Sequence, residues 1–255
     1  MTPDHWSDVV DRFDDYTACY EAMGRNVAAH IAESARYYRW MANVIRPYLG
    51  KRTLELGAGP GLITPYLKGL DLYIATETWP PFVERLKAIA ADRVGVQVEV
   101  LDVSDLAQHS KRYRELRLDS VFSTNLLEHL KDDVGVLRQM KEIAGPHGRV
   151  VNLVPAFRKL YGPVDRAIGH YRRYERDELV IKHAAAGLRM QKLKYFNLAG
   201  YLSWAWLSRV QKSPDVSQLQ FKSFNAVVPA LELFERLVPP IVESSLVSVG
   251  EPDAD

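Results

Sequence analysis

Between residues 53 and 63 the chain reads Thr-Leu-Glu-Leu-Gly-Ala-Gly-Pro-Gly-Leu-Ile: an apolar run breaks into three glycines at alternate positions, Gly57, Gly59 and Gly61, and then turns apolar again. This predicts a strand, a tight loop and a helix. Glycine lets the backbone take positive φ and lets a ligand lie directly against the main chain, so three in five residues describe a loop built for close approach. A plain strand-to-helix turn needs only one or two. The dinucleotide fingerprint spaces its glycines G-x-G-x-x-G, whereas Leu62 stands where its third glycine should be, which argues against a nicotinamide cofactor.

The next segments continue a strand–helix alternation. Residues 72–76 predict a second strand ending at Glu77, about 20 positions beyond the glycine loop, where a carboxylate can accept hydrogen bonds from two ribose hydroxyls. A helix is expected over 82–91, and a third strand over 96–101 is closed by Asp102, which can equally serve as a plain helix cap. A fourth strand, 118–123, runs into Thr124-Asn125-Leu126-Leu127-Glu128-His129-Leu130. Asp132 and Asp133 then cap a helix that Gly145 and Pro146 stop before a fifth strand, 150–154. Such alternation requires a parallel sheet with helices on both faces and a ligand crevice at the carboxyl ends of its strands.

The pattern Glu55-x-Gly57-x-Gly59-x-Gly61 resembles the first motif of class I S-adenosylmethionine-dependent methyltransferases, and 123–130 resembles the fourth motif of their small-molecule branch. The resemblance covers about residues 37–187. It implies a Rossmann-like, doubly wound, mostly parallel seven-stranded α/β sheet, with S-adenosylmethionine as cofactor and S-adenosylhomocysteine as product. Carried onto this chain, it implies a cofactor site of Glu55, Gly57, Ala58, Gly59 and Gly61, with Glu77 and Thr78 at the ribose. Trp79 would cover the adenine or staple the following helix. Asp102 would hold the adenine amino group and the Val103 amide its ring nitrogen, while Asn125 and Leu126 would line the methionine half. The Glu128–His129 pair would open the next helix; without zincin spacing, no metal is assigned to it.

Residues 156–176 form a polar, aromatic insertion after the fifth strand and therefore hang over the crevice. Within it, Gly169-His170-Tyr171-Arg172-Arg173-Tyr174 resembles an element of a bacterial subgroup of the family. A surface Ω-loop would explain the same composition. Tyr161, Tyr171, Arg172 and Arg173 are candidate acceptor contacts, the arginines on an acidic or phosphorylated group. His170, and after it His129, are the candidate general bases, because imidazole titrates near neutral pH.

Residues 1–50 are expected to form a helical cap, with one buried stripe over 31–49, and residues 51–255 the methyltransferase domain. Toward the end come a strand over 190–195, an aromatic stretch at Tyr201, Trp204 and Trp206, a loop around Pro214, a helix over 224–238, and a closing antiparallel edge strand over 244–249. A net charge of +1 gives no electrostatic case for nucleic acid, and no apolar run approaches the ~20 residues of a membrane span. The single cysteine, Cys19, forbids an intramolecular disulfide, and no signal peptide is read at the start, so a cytoplasmic location is expected. The expected function is methyl transfer to a small-molecule hydroxyl of a sugar or secondary metabolite, with a homodimer as the candidate assembly. The alternatives are a dinucleotide-dependent oxidoreductase or epimerase and a non-catalytic S-adenosylmethionine-binding protein.

Overall fold

The computed structural model describes residues 34–162, 165–166, 168–198, 218–237 and 244–253. Seven strands lie in one sheet in the order β3-β2-β1-β4-β5-β7-β6: β1 Arg52–Leu56, β2 Leu72–Glu77, β3 Val96–Val100, β4 Ser120–Thr124, β5 Arg149–Pro155, β6 Leu188–Phe196 and β7 Ser245–Pro252. The first five pair in parallel; β7 runs antiparallel to both β5 and β6. The closing strand is thus antiparallel as expected, but it is not an edge. It inserts between β5 and β6, and its wholly buried Leu246, Val247 and Ser248 suit an interior place. The edge falls to β6, whose exposed Arg189, Gln191 and Lys192 tolerate solvent.

Strand alternation sends neighbouring side chains to opposite faces and so makes two cores. Leu54, Leu56, Ile74, Val121 and Val150 face one side, where Leu106 and Tyr113 of helix α3 (Leu106–Glu115) and Leu137 and Met140 of α4 (Asp133–Ala144) cover them. Leu179 of α5 (Arg176–Ala185) completes that layer. Tyr73, Ala75, Phe122 and Val151 face the other side, beneath Trp40, Met41 and Ile45 of α1 (Ala35–Ile45), Leu86 of α2 (Pro80–Ala90) and Val228 of α6 (Gln218–Leu237). Each fully buried Leu or Ile of this kind contributes about 1.5 to 3 kcal/mol.

Three local expectations change. The segment after the glycine loop, expected as a short helix, is a single 3₁₀ turn, Thr64–Tyr66, with Pro65 inside it. The Glu128–His129 pair does not open the next helix. It sits on its own 3₁₀ turn, Leu127–His129, separated from α4 by residues 130–132 because the Asp132 side chain caps α4 through the Gly135 amide. The charged 104–117 stretch, left without an element by its sequence, carries α3. The aromatic stretch at 201–207, the loop around Pro214 and most of the N-terminal cap lie outside the described residues.

Among the described residues no helix is long and apolar enough to cross a membrane.

Candidate functional site

The order β2-β1-β4 places the chain reversal of the sheet between β1 and β4, and ligands of such sheets bind outside the carboxyl ends at that point. The glycine loop lies there. It is anchored to the end of β2 by the Ala58 amide, which donates to the Thr76 carbonyl at 2.8 Å. Gly59 has φ of +56°, and a Cβ built on it would meet nothing within 4 Å. Its backbone is therefore open to a ligand. Gly61 is needed for the opposite reason, since a Cβ there would lie 2.8 Å from Ile89 and 2.9 Å from Leu86 of α2.

Glu77, at the end of β2, faces this loop. Its Oε2 accepts from the Gly59 amide at 2.8 Å, and its Oε1 from the Thr78 and Trp79 amides at 2.7 and 3.0 Å. Three backbone donors orient the carboxylate; Oε1 also accepts from the Thr78 hydroxyl at 3.3 Å, while Oε2, with a single donor, keeps acceptor capacity for a hydroxyl. Asp102, at the end of β3, accepts from the Ser104 amide at 2.8 Å and so serves as a turn cap, with Val103 beside it. The Trp79 ring packs edge-on against Phe82 at 4.4 Å. Beyond β4, Asn125 sits at φ of +50°, a conformation Asn tolerates, and its amide donates to the Leu153 carbonyl at 2.8 Å. Leu126 covers Gly57 closely enough that a Cβ there would lie 2.8 Å from its methyl group.

Glu55 departs from its expected place. It is wholly buried, its Oε2 takes a hydrogen bond from the Tyr73 hydroxyl, and Tyr73 in turn meets Thr64 Oγ1 at 3.1 Å. Burial pushes its carboxyl up to about 8 against the lowering hydrogen bond from Tyr73. Glu55 therefore braces the loop from below and contributes no surface to the crevice.

The insertion after β5 folds back on its own base, where Phe157 donates to Tyr174 and Tyr174 to Pro155, both at 2.9 Å. The Tyr171 amide donates to the Glu128 carbonyl at 2.8 Å, tying the insertion to the 3₁₀ turn after β4. This brings His170 against that turn: its ring packs edge-on to His129 at 4.6 Å, and its Nε2 lies 3.8 Å from Glu128 Oε1. On the other side, His170 Nδ1 is 2.9 Å from Asp165 Oδ1. Asp165 also accepts from Arg173 Nε at 2.7 Å and from the Gly162 amide at 2.9 Å.

The electrostatics follow from burial and these pairs. Desolvation raises the Asp165 carboxyl, but the His170 hydrogen bond and the Arg173 charge outweigh it and hold it below the usual carboxylate range. An ionised Asp165 only accepts, so His170 Nδ1 is the donor of that bond, and Nε2 faces Glu128. Glu128 is wholly buried, and desolvation pushes its carboxyl up to about 8, opposed by its own backbone amide and by the Arg173 charge. Burial first and the neighbouring His170 second lower His129 to about 3, so its imidazole stays neutral at physiological pH.

Of the residues expected at the acceptor, Tyr171 is 42% exposed at the rim, and the Tyr161 hydroxyl donates to the His170 carbonyl at 2.8 Å. The arginines meet a different geometry from the expected one. Arg173 is buried on Asp165, and Arg172 pairs with Asp133 at 2.8 Å while donating to the Lys131 carbonyl. Arg173 is thus committed within the insertion, and Arg172 ties the insertion to the start of α4. Sequence reasoning passed over Asp165 and Glu128 as site residues; the signal for the first was an acid and a base, Asp165 and Arg173, flanking His170 within one loop.

Residues 54–152 match the family model described as "Methyltransferase domain". Among curated proteins, the ubiquinone biosynthesis O-methyltransferase of Xanthomonas campestris pv. campestris is 24% identical over 204 residues, covering 76% of this chain and 83% of that protein. Among solved structures, the 1,6-didemethyltoxoflavin-N1-methyltransferase of Burkholderia thailandensis, with its substrate and S-adenosylhomocysteine bound, superposes with a TM-score of 0.59 at 19% identity, over 99% of this chain and 92% of that one. The CcbJ methyltransferase of Streptomyces caelestis gives 0.55 at 16% identity, over 86% and 96%. The strand order, the matched domain and the relatives agree: residues 54–152 carry a methyltransferase domain, the sheet is that of a class I S-adenosylmethionine-dependent methyltransferase, and S-adenosylmethionine is the cofactor.

Proposed function

We propose that this methyltransferase methylates a hydroxyl of a small-molecule acceptor, a sugar or secondary metabolite, whose oxygen sits at the cluster of Glu128, His129 and His170. The observation that carries this reading is the convergence of those three residues, with Asp165 behind them, next to Leu126 at the glycine loop. The similarity to proteins named as ubiquinone biosynthesis O-methyltransferases supports oxygen as the methylated atom.

S-adenosylmethionine supplies a methyl group on a positively charged sulfur, already activated for in-line displacement. Glu77, oriented by three amides, would accept hydrogen bonds from the ribose hydroxyls, and the open backbone at Gly59 would lie against the cofactor. Asp102 and Val103 would flank the adenine, and Asn125 and Leu126 the methionine half. Bound there, the cofactor would give its methyl group to the acceptor oxygen and leave as S-adenosylhomocysteine, and the histidine cluster would carry the hydroxyl proton away. Most of the rate then comes from alignment, with proton removal adding to it.

The experiment is transfer of labelled methyl from S-adenosylmethionine to a panel of hydroxyl, amine and carbon acceptors. Label in a methyl ether is expected; label confined to nitrogen or carbon would overturn the assignment. A companion variant tests the cofactor side. Glu77→Ala should weaken S-adenosylmethionine binding by about 1 to 3 kcal/mol, the scale of an unmatched polar partner in a partly buried site. Calorimetry on the folded variant checks this, and unchanged affinity would remove Glu77 from the site.

A further inference from the structure

The cluster at the crevice has a feature that proton removal alone does not explain. Glu128 is wholly buried, yet apart from its own backbone amide neither of its side-chain oxygens meets a hydrogen-bond donor among the described residues. A buried carboxyl without partners costs free energy unless something else satisfies it. One oxygen of Glu128 and one ring nitrogen each from His129 and His170 lie within 4.8 Å of one another. A first-row ion bonded at about 2.0 to 2.2 Å holds neighbouring ligand atoms about 3 to 3.5 Å apart, so the 3.8 Å between His170 Nε2 and Glu128 Oε1 closes with a shift well under 1 Å.

The surroundings orient all three groups as ligands. The Asp165 carboxylate accepts a hydrogen bond from His170 Nδ1 and leaves Nε2 for coordination, the carboxylate–histidine arrangement that orients and strengthens a metal-binding imidazole. His129 is hydrogen-bonded to the Gly169 backbone. Arg173 and the Gly162 amide in turn fix Asp165.

We propose that Glu128, His129 and His170 form a mononuclear site for a divalent first-row transition ion, such as Zn²⁺, Mn²⁺, Fe²⁺ or Co²⁺. Two imidazoles and one carboxylate favour such ions over Mg²⁺ and Ca²⁺, which prefer oxygen ligands throughout. Three protein ligands leave coordination positions open. Resting on the reading of this cluster as the acceptor site, the inference assigns one open position to the acceptor oxygen, where the ion lowers the cost of losing the hydroxyl proton to solvent. His170 is then an ion ligand, and Asp165 is its positioning residue.

The test uses the full-length protein, stripped with a chelator and titrated with Co²⁺ and with Mn²⁺, reading visible absorption and bound ion by equilibrium dialysis. One equivalent per chain is expected, with a melting temperature that rises on addition. Glu128→Gln and His170→Asn should each weaken binding by more than about 100-fold, and Asp165→Asn by about 10- to 100-fold, the range for loss of a ligand-orienting partner. S-adenosylmethionine affinity, measured on the same variants, reports that they remain folded. Failure of the wild-type protein to bind one equivalent, or binding that survives in both ligand variants, would overturn the site. If the stripped enzyme methylates hydroxyls at full rate, the ion's role falls while the methyl-transfer reading stands. If one ion binds and no hydroxyl is methylated, the site stands and the acceptor reading falls.

Discussion

His170→Ala lowers methyl turnover by a factor of about 10² to 10⁴, the range for loss of a group that governs proton removal, while S-adenosylmethionine affinity stays near the wild-type value. The separation follows from position. His170 reaches the crevice from the insertion after β5, on the side of Glu128 and His129, whereas the proposed cofactor contacts lie at the ends of β1 to β4 and none is in the insertion. The effect holds whether the imidazole takes the proton itself or holds an ion that acidifies the hydroxyl. The pH profile separates the two: direct proton removal gives an acidic limb that tracks the imidazole, and ion-assisted removal gives one that moves with the identity of the ion. Full turnover in the variant would make His170 a packing residue of the loop and catalysis a matter of alignment alone. Collapse of cofactor affinity together with turnover would make the insertion a lid over the donor.

Arg173→Met lowers folding stability by about 3 to 5 kcal/mol, the cost of leaving a buried charge without its counter-charge. Arg173 is only 3% exposed; its Nε bonds Asp165 at 2.7 Å and its Nη1 the Ala156 carbonyl at 3.3 Å. Removing it takes the guanidinium from the buried Asp165 carboxylate and deprives the β5 end of a donor. Denaturant unfolding of the purified variant measures the loss. A stable variant with a raised KM for the acceptor would instead return Arg173 to the acceptor-binding role that its sequence suggested.

The contrast between the arginines and the histidines shows what the sequence carried. Local features were legible: the glycine loop, the strand ends at Glu77 and Asp102, and the helix stops at Gly145 and Pro146 are each set by a few adjacent residues. The parallel order of five strands followed from their alternation with helices. The place of β7 did not, because a strand that returns from the end of the chain to pair between β5 and β6 leaves no mark on its own pattern. Helix α3 was hidden for a related reason: only Leu106 and Tyr113 of its ten residues are buried, too few to make a visible stripe. The cluster at the crevice joins residues from two loops. The spacing of Glu128 and His129 excludes a zincin motif, but the third group comes from a segment beyond β5, and no local spacing rule reaches that far. Likewise a charged pair such as Arg173 and Asp165 reads as two polar residues until burial shows that each neutralises the other.

The most direct test of the whole arrangement is a crystal structure of the protein with S-adenosylhomocysteine. The ribose hydroxyls should lie within about 3 Å of the Glu77 carboxylate, the cofactor backbone against Gly59, and the sulfur turned toward Glu128, His129 and His170. A ribose bound away from Glu77, or a sulfur facing away from the histidine cluster, would contradict the account.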